Sequence, residues 1–418
     1  MTFELVVLTL NCWGIPYVSS DREIRMNAIA EELSTGKYHI VTLQEVWSKS
    51  DFDLIKRKTA KVLPYAHYFH SGVLGSGICI LSAFPIIDTF FYQWPINGYI
   101  HRIQHGDWFG GKGVGLCKVK THDGTLINVY STHLHAEYNR NCDDYLAHRI
   151  LQAFEAGKFV AITSSESDVS ILGGDLNVEP RDLAYRVILG ASELHDSFIN
   201  FSNESKSSGT NEHKENSYTS PSVLKTDPNG KRIDYILYKC SNKVKVEVLK
   251  YDHPLPLKIP GYNVSYSDHD AVVATLYLKE ISSLYEKKQE TVESCPENGN
   301  NANCKSYAQD IQDSIDICNE ALISMDNHRK SYIFLSGICF FLLLAIFKMS
   351  DFSNLSLTSV FISILQITLT IIWMFGLLMA FVWNNIERNS IFAGKLNMEI
   401  HLKSLEGLYS GDSISNIM

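Results

Sequence analysis

Short, continuous apolar runs punctuate the first two thirds of the chain, and several stop abruptly at polar residues. Leu5–Leu10 ends in Asn11-Cys12-Trp13-Gly14, His39–Leu43 runs into Gln44-Glu45, and Val169–Leu172 gives way to Gly173-Gly174-Asp175-Leu176-Asn177. Runs of this length predict strands buried on both faces. Ile78–Leu81, closed by Phe84-Pro85, predicts another. Asp123-Gly124, between Val114–Val119 and Thr125–Thr132, predicts a hairpin, because this pair tolerates the positive φ angles of a tight turn. Arg232–Tyr238 and Ala271–Leu278 read as further strands, and Lys243–Val248 alternates as a strand with one wet face does.

Between these runs the period becomes helical. Ile24, Ala28, Ile29 and Leu33 share one face behind a Ser20/Glu23 capping box; Leu146, Ile150, Ala153 and Phe154 align within 143–163; Leu183, Val187 and Ile188 follow Pro180. Strands interleaved with helices predict an α/β (α+β) domain over residues 1–280. Ser202 to Ser217 is polar and of low complexity, which predicts a mobile loop.

The pattern changes after residue 280. Residues 281–330 read as a polar linker followed by an amphipathic helix on Ile311, Ile315, Cys318, Leu322 and Met325, either approaching a membrane or packing on the domain. Ser331–Phe347 is apolar over 17 residues and Leu355–Trp383 is a 29-residue run without a formal charge. Roughly 20 apolar residues cross a bilayer core, so 331–347 and 355–383 predict two transmembrane helices, a buried hairpin of a soluble domain being the alternative. His328-Arg329-Lys330, Arg388 and Lys395 flank the spans while the connecting loop offers only Lys348. The positive-inside rule then places the N-terminal domain and the 384–418 tail in the cytosol; the endoplasmic reticulum or another intracellular membrane is expected over the plasma membrane.

Charge and cysteine usage narrow the picture. A net charge of −9 argues against a nucleic-acid partner, because such binding rests on cations neutralising phosphates. Nine scattered cysteines without C-x-x-C spacing suit free thiols in a reducing compartment. The N-terminal run carries Glu4 and lacks a basic flank, as expected of a strand and not of a signal peptide.

The chemistry gathers where strands begin and end. Asn11, Glu45, His133, Asp175 and Asn177 follow predicted strands, whereas Asp234 and His269 sit at or before the starts of others. In a mixed sheet these ends share an edge, so all seven can face one cleft. Glu45 with the Asn11 amide oxygen is a hard-oxygen set that suits Mg²⁺. Two histidines with carboxylates beside such an ion suit attack of water on a phosphodiester. The chain has neither a G-x-x-x-x-G-K-[ST] loop nor a G-x-S-x-G elbow.

Asn11-Cys12-Trp13-Gly14, Gln44-Glu45-Val46-Trp47, Thr132-His133-Leu134, Gly174-Asp175-Leu176-Asn177, Arg232-Ile233-Asp234-Tyr235 and Ser267-Asp268-His269, in this order, resemble the endonuclease/exonuclease/phosphatase superfamily. Within it, Asn11–Pro16, His105–Phe109 and Thr132–Tyr138 resemble neutral sphingomyelinases whose catalytic domain precedes two membrane spans. The resemblance implies a DNase I-like four-layer sandwich, two mixed β-sheets face to face and flanked by helices. It implies Glu45 as principal Mg²⁺ ligand with Asn11 on the metal-water side, His269 as general base held by Asp234, and Asp175 and Asn177 orienting water and phosphoryl oxygens. His133 would donate to the phosphate or leaving oxygen. Asp107 and Lys112 match a loop that could place Lys112 near the lipid phosphate, a glycine-rich turn with a surface lysine being the alternative. His135 would stand behind His133.

The activity so implied is Mg²⁺-dependent hydrolysis of the membrane lipid sphingomyelin to ceramide and phosphocholine. A phospholipase C acting on lyso-platelet-activating factor or lysophosphatidylcholine keeps the same site. A catalytically silent membrane scaffold would have lost Glu45, Asp175 or His269, and all three are present.

Overall fold

The computed structural model describes residues 2–201, 209–281, 297–350 and 356–409. Twelve strands form two six-stranded mixed sheets. The first has the order β11-β12-β1-β2-β4-β3, with β1 Thr2–Asn11, β2 Ile40–Gln44, β3 Tyr65–Tyr68, β4 Cys79–Ser82, β11 Val244–Asp252 and β12 Val272–Glu280. The second has the order β5-β6-β7-β8-β10-β9, with β5 Ile86–Gln93, β6 Gly113–Lys120, β7 Leu126–His133, β8 Val169–Asp175, β9 His195–Asp196 and β10 Asp234–Cys240. The helices of this part are α1 Arg22–Leu33, α2 Lys49–Thr59, α3 Leu146–Thr163, α4 Leu183–Ser192, α5 Ser197–Phe201 and α6 Pro221–Thr226.

Side chains alternate along a strand, so a strand between two layers can be apolar at every position. On β1, Leu5 and Val7 join Ile127, Val129, Val169, Ile171 and Ile236 of the second sheet in one core. Leu8 and Leu10, pointing the other way, pack with Met26, Ile29 and Leu33 of α1 and Ile55 of α2. Helices α3 and α4 lie together, so close that a Cβ on Gly157 would stand 2.6 Å from that of Ala191. The expected layers are therefore present. Between the sheets, a Cβ on Gly173 would meet Thr42 Oγ1 at 2.3 Å, so only glycine permits this approach below the strand ends.

Several local expectations change. The structure adds α2, β3 and β5; β5 carries exposed Ile87 and Phe90 at the sheet edge, and its apolar positions do not form one continuous run. The Ser20/Glu23 capping box is replaced. Asp21, at φ 53, precedes α1 and accepts from Tyr218 Oη at 3.0 Å, while the Ser20 carbonyl accepts from Arg25 Nε at 2.9 Å. Of the predicted mobile loop, 202–208 lies outside the described residues, but Gly209–Ser217 is tied down by backbone hydrogen bonds to the 229–231 turn. Low complexity missed this because the ties use backbone groups and short polar side chains.

The chain divides into two compact units, Met1–Asn97 with Gly106–Asp310 and Gly98–His105 with Ile311–Met418. Of the predicted linker, 282–296 lies outside the described residues. From there α7 (Glu297–Ser350) runs without a break through the amphipathic segment and the first apolar run. Its first turns belong to the first unit, where Asp310 accepts from Arg186 Nε at 2.9 Å. In the second unit α8 (Ser356–Leu378) continues through a π-helical turn, Met379–Trp383, into α9 (Asn384–Tyr409). The two limbs are antiparallel: Ser336 abuts Gly376, Phe340 lies 5.7 Å from Trp373, and Asn384 donates to the Met325 carbonyl at 2.9 Å. Both helices are long and apolar enough to cross a membrane. Phe334, Phe341, Phe361 and Ile371 are exposed on their surfaces.

Candidate active site

Sheet register assembles the centre of the site. Asp175, the last residue of β8, pairs with His133 at the end of parallel β7 and with Asp234 at the start of antiparallel β10. Three chain segments thus deliver their polar groups side by side, and all three residues are buried. On the opposite sheet Asn11 pairs with Gln44, and the chain then turns sharply at Glu45.

Three residues in the loops past these strand ends have left-handed backbone: Trp13 (φ 46), Glu45 (φ 55) and Asn177 (φ 50). Each costs roughly 1–2 kcal/mol for a non-glycine residue. The surroundings hold them there. Arg25, fully buried, donates to the carbonyls of Cys12 and Trp13 at 2.7 Å each. Gly14 N donates to Glu45 O at 2.9 Å, in a space where a Cβ would lie 2.4 Å from that oxygen. Asn177 donates its backbone N–H to Asp175 Oδ1 and its amide to Leu134 O.

Two clusters result. In the first, His269 Nδ1 lies 2.8 Å from Asp234 Oδ2 and its Nε2 faces Asp175 Oδ2 at 3.9 Å. Asn11 Nδ2 donates to Glu45 Oε1 at 3.0 Å and to Asp175 Oδ2 at 2.9 Å. Its amide oxygen accepts from Trp13 N–H at 2.9 Å, so Asn11 bridges the two carboxylates through its NH₂. In the second cluster Lys112, also buried, reaches Asp107 Oδ1 at 2.7 Å and His133 Nε2 at 3.2 Å. Asp107 also accepts from Tyr138 Oη at 2.5 Å and faces His135 Nε2 at 3.5 Å. The surface-lysine reading of Lys112 is thereby overturned, because β6 begins inside the cleft. His133 Nε2, 3.4 Å from Asp175 Oδ2, joins the clusters.

Electrostatics separate the groups. Burial alone would lower the His269 pKa, but Asp234, Asp268 and Asp175 outweigh it and hold the imidazole well above its usual range. Burial and then Lys112 push His133 well below it. Burial raises Asp175, and the neighbouring Asp234 raises it further. Burial and then Asp268 raise Glu45. Against burial, Lys112 and His135 hold Asp107 below the ordinary carboxylate range. These opposite shifts favour the imidazolium form of His269 and the neutral form of His133.

The donor set fits a divalent cation. Ligand atoms of Asp175, Asp234 and His269 lie within 4.8 Å of one another, and because His269 and Asp234 are hydrogen-bonded to each other, the open carboxylate oxygens are what is left for a cation. Glu45 Oε2 and Asp234 Oδ1 are buried and accept no hydrogen bond among the described residues. Orphaned carboxylate oxygens of this kind are costly unless a cation meets them, and an oxygen-rich set selects a hard ion. Asp268, whose charge acts on Glu45, joins this acidic wall. It was visible in Ser267-Asp268-His269, but its electrostatic hold on Glu45 from a half-buried position was not.

Fold and site together define a hydrolase of the four-layer α/β phosphodiesterase class. Residues 8–269 match the Endonuclease/Exonuclease/phosphatase family. The chain is 38% identical over 440 residues to a putative neutral sphingomyelinase of Drosophila melanogaster, covering 96% of this chain and 98% of that protein. It is 39% identical to sphingomyelin phosphodiesterase 2 of Homo sapiens over 66% of each chain. An inositol phosphosphingolipids phospholipase C of Schizosaccharomyces pombe is 32% identical over 66% of this chain and 69% of that one. The same fold occurs in sphingomyelinase C from Streptomyces griseocarneus, with a TM-score of 0.50 and 22% identity over 65% of this chain and 99% of that one. This protein belongs to the endonuclease/exonuclease/phosphatase family, in its neutral sphingomyelinase branch.

Proposed function

We propose that the chain is a membrane-anchored, Mg²⁺-dependent phosphodiesterase that hydrolyses sphingomyelin to ceramide and phosphocholine. The observation that carries this reading is the Asp234–His269–Asp175 cluster, which Asn11 links to Glu45, whose Oε2 is bare among the described residues. It is supported by the names of the relatives and by two apolar helices that would confine the site to a lipid surface.

With Nδ1–H donated to Asp234, His269 turns Nε2 to a water in the site; the negative charge that favours the imidazolium would be offset by a divalent cation bound near Asp268 and Asp175, leaving Nε2 free to take the proton as that water attacks phosphorus. Asp175, oriented by Asn11 and the Asn177 N–H, holds the attacking water in line. Lys112 supplies positive charge and the neutral His133 imidazole a hydrogen bond for the phosphoryl and leaving oxygens, with Asp107, backed by Tyr138 and His135, keeping Lys112 in place. Glu45, with Asp268 nearby, would hold Mg²⁺, which when bound neutralises charge developing on the phosphate. The catalytic domain and both ends of the membrane hairpin face the cytosol in this reading, in an intracellular membrane.

The test is release of phosphocholine from choline-labelled sphingomyelin in mixed micelles, with and without Mg²⁺. No release in Mg²⁺ by folded protein would sink the proposal. The same assay with lysophosphatidylcholine, lyso-platelet-activating factor and an inositol phosphosphingolipid ranks the substrates, the last because a relative of that name shares the chain's sequence.

A further inference from the structure

His269 and Asp234 arrive at the cleft from segments 35 residues apart. A third segment joins their backbones. Thr210, fully buried, accepts the backbone N–H groups of Ile233 and Asp234 on its hydroxyl oxygen, at 3.1 and 3.2 Å. Its carbonyl accepts the Asp270 N–H at 2.7 Å, one residue beyond His269. Its own N–H donates to the Lys231 carbonyl at 2.8 Å, so Thr210 cannot move without disturbing both sides.

The neighbouring residues of the strap extend this grip. Asn211 forms isolated bridges with both Lys231 and His269, and its amide donates to Asp268 O at 3.2 Å. His213 Nε2 lies 2.8 Å from Asp270 Oδ2, and Asn216 donates to Ser267 O at 2.9 Å. The strap therefore holds Ser267, Asp268, His269 and Asp270 along their whole length. A hydrogen-bonded pair such as His269–Asp234 works only while both partners are held to within a fraction of an ångström. Asp234 Oδ1 has no hydrogen bond among the described residues that could correct a displacement of its backbone.

We infer that Thr210 is a positioning residue for the reaction: its hydroxyl sets the backbone of Asp234 and its carbonyl that of His269–Asp270, so that together they fix the dyad. The inference rests on His269 acting as the base.

The test uses the full-length protein in micelles and compares Thr210→Val, which keeps the shape and loses the acceptor, with Thr210→Ser, which keeps the acceptor. Thr210→Val is expected to lower kcat at least tenfold with KM within twofold, and Thr210→Ser to restore most of it. In an Asp234→Asn background, Thr210→Val should cost less than threefold more, because the dyad is already disabled. Wild-type kcat in Thr210→Val, an unrestored Thr210→Ser, or an equal loss with and without Asp234 would overturn the inference. If Thr210→Val does not fold, Thr210→Ala carries the same expectation, since water can then reach the two N–H groups; failure of both to fold would assign Thr210 to stability alone and overturn it too. Running the series on bis(4-nitrophenyl) phosphate beside sphingomyelin separates the outcomes. Wild-type turnover of the first without the second refutes the lipid assignment and leaves the Thr210 comparison intact.

Discussion

His269 carries the sharpest expectation at the scale of single residues. Its imidazole is held between carboxylates, with Nδ1 on Asp234 and Nε2 toward Asp175. His269→Ala should lower kcat on sphingomyelin by about 10²–10⁴-fold, the range of a general base, with circular dichroism unchanged. Glu45→Gln removes a donor whose Oε2 has no other partner among the described residues. It should raise the Mg²⁺ concentration for half-maximal activity at least about tenfold, the lower end of what even outer-shell partners contribute. A Mg²⁺ titration of both proteins checks this, and chelation with EDTA should abolish wild-type turnover reversibly. Outside the site, burial pushes the Glu155 carboxyl on α3 up to about 8. A raised carboxylate pKa means the folded state binds more protons than the unfolded one, so this group's stabilising effect is complete below its unfolded pKa of 4.5 and fades as pH rises to about 8. Glu155→Gln should leave stability unchanged near pH 4 and raise it above pH 8, as read from urea unfolding at both pH values.

At the scale of elements, the site depends on how closely the two sheets approach. Gly173 on β8 and Thr42 on β2 face one another with no room for a methyl group. Gly173→Ala should destabilise the protein by about 1–3 kcal/mol through overpacking, and Thr42→Ala should recover part of it; thermal melts of the two single variants and the double variant test the coupling. The legibility of the elements follows from their environment. Strands β1, β2 and β8, buried on both faces, wrote themselves as unbroken apolar runs. Strand β5 has exposed residues on its edge, and α2 buries little beyond Ile55 and Thr59, so neither produced a pattern strong enough to read. The strap at Gly209–Ser217 is held by hydrogen bonds and not by apolar burial, and hydrophobic periodicity is blind to such ties.

At the scale of the whole molecule, α7 and α8–α9 form an antiparallel pair whose exposed surface is strongly apolar. If they anchor the protein as proposed, it should stay in the membrane pellet through alkaline carbonate extraction. Tags on both termini should be cleaved by protease added to sealed, cytosol-side-out vesicles; protection of either tag would refute the two-pass topology. A soluble pool in carbonate would point instead to a hairpin buried in an assembly.

The sequence by itself determined the class of fold, the two apolar spans and most of the polar groups, because each follows from a local rule: burial on two faces, a length of apolar chain, or a motif at a strand end. Tertiary structure alone decided how those groups face one another. Asn11 turns its NH₂ toward two carboxylates and its oxygen toward Trp13 N–H. Lys112 is held in a buried position by Asp107, and the charge of Asp268 acts on Glu45. Thr210 joins two distant backbones. None of these has a sequence signature, since each depends on long-range sheet register and on where a few hydrogen-bond donors find their acceptors.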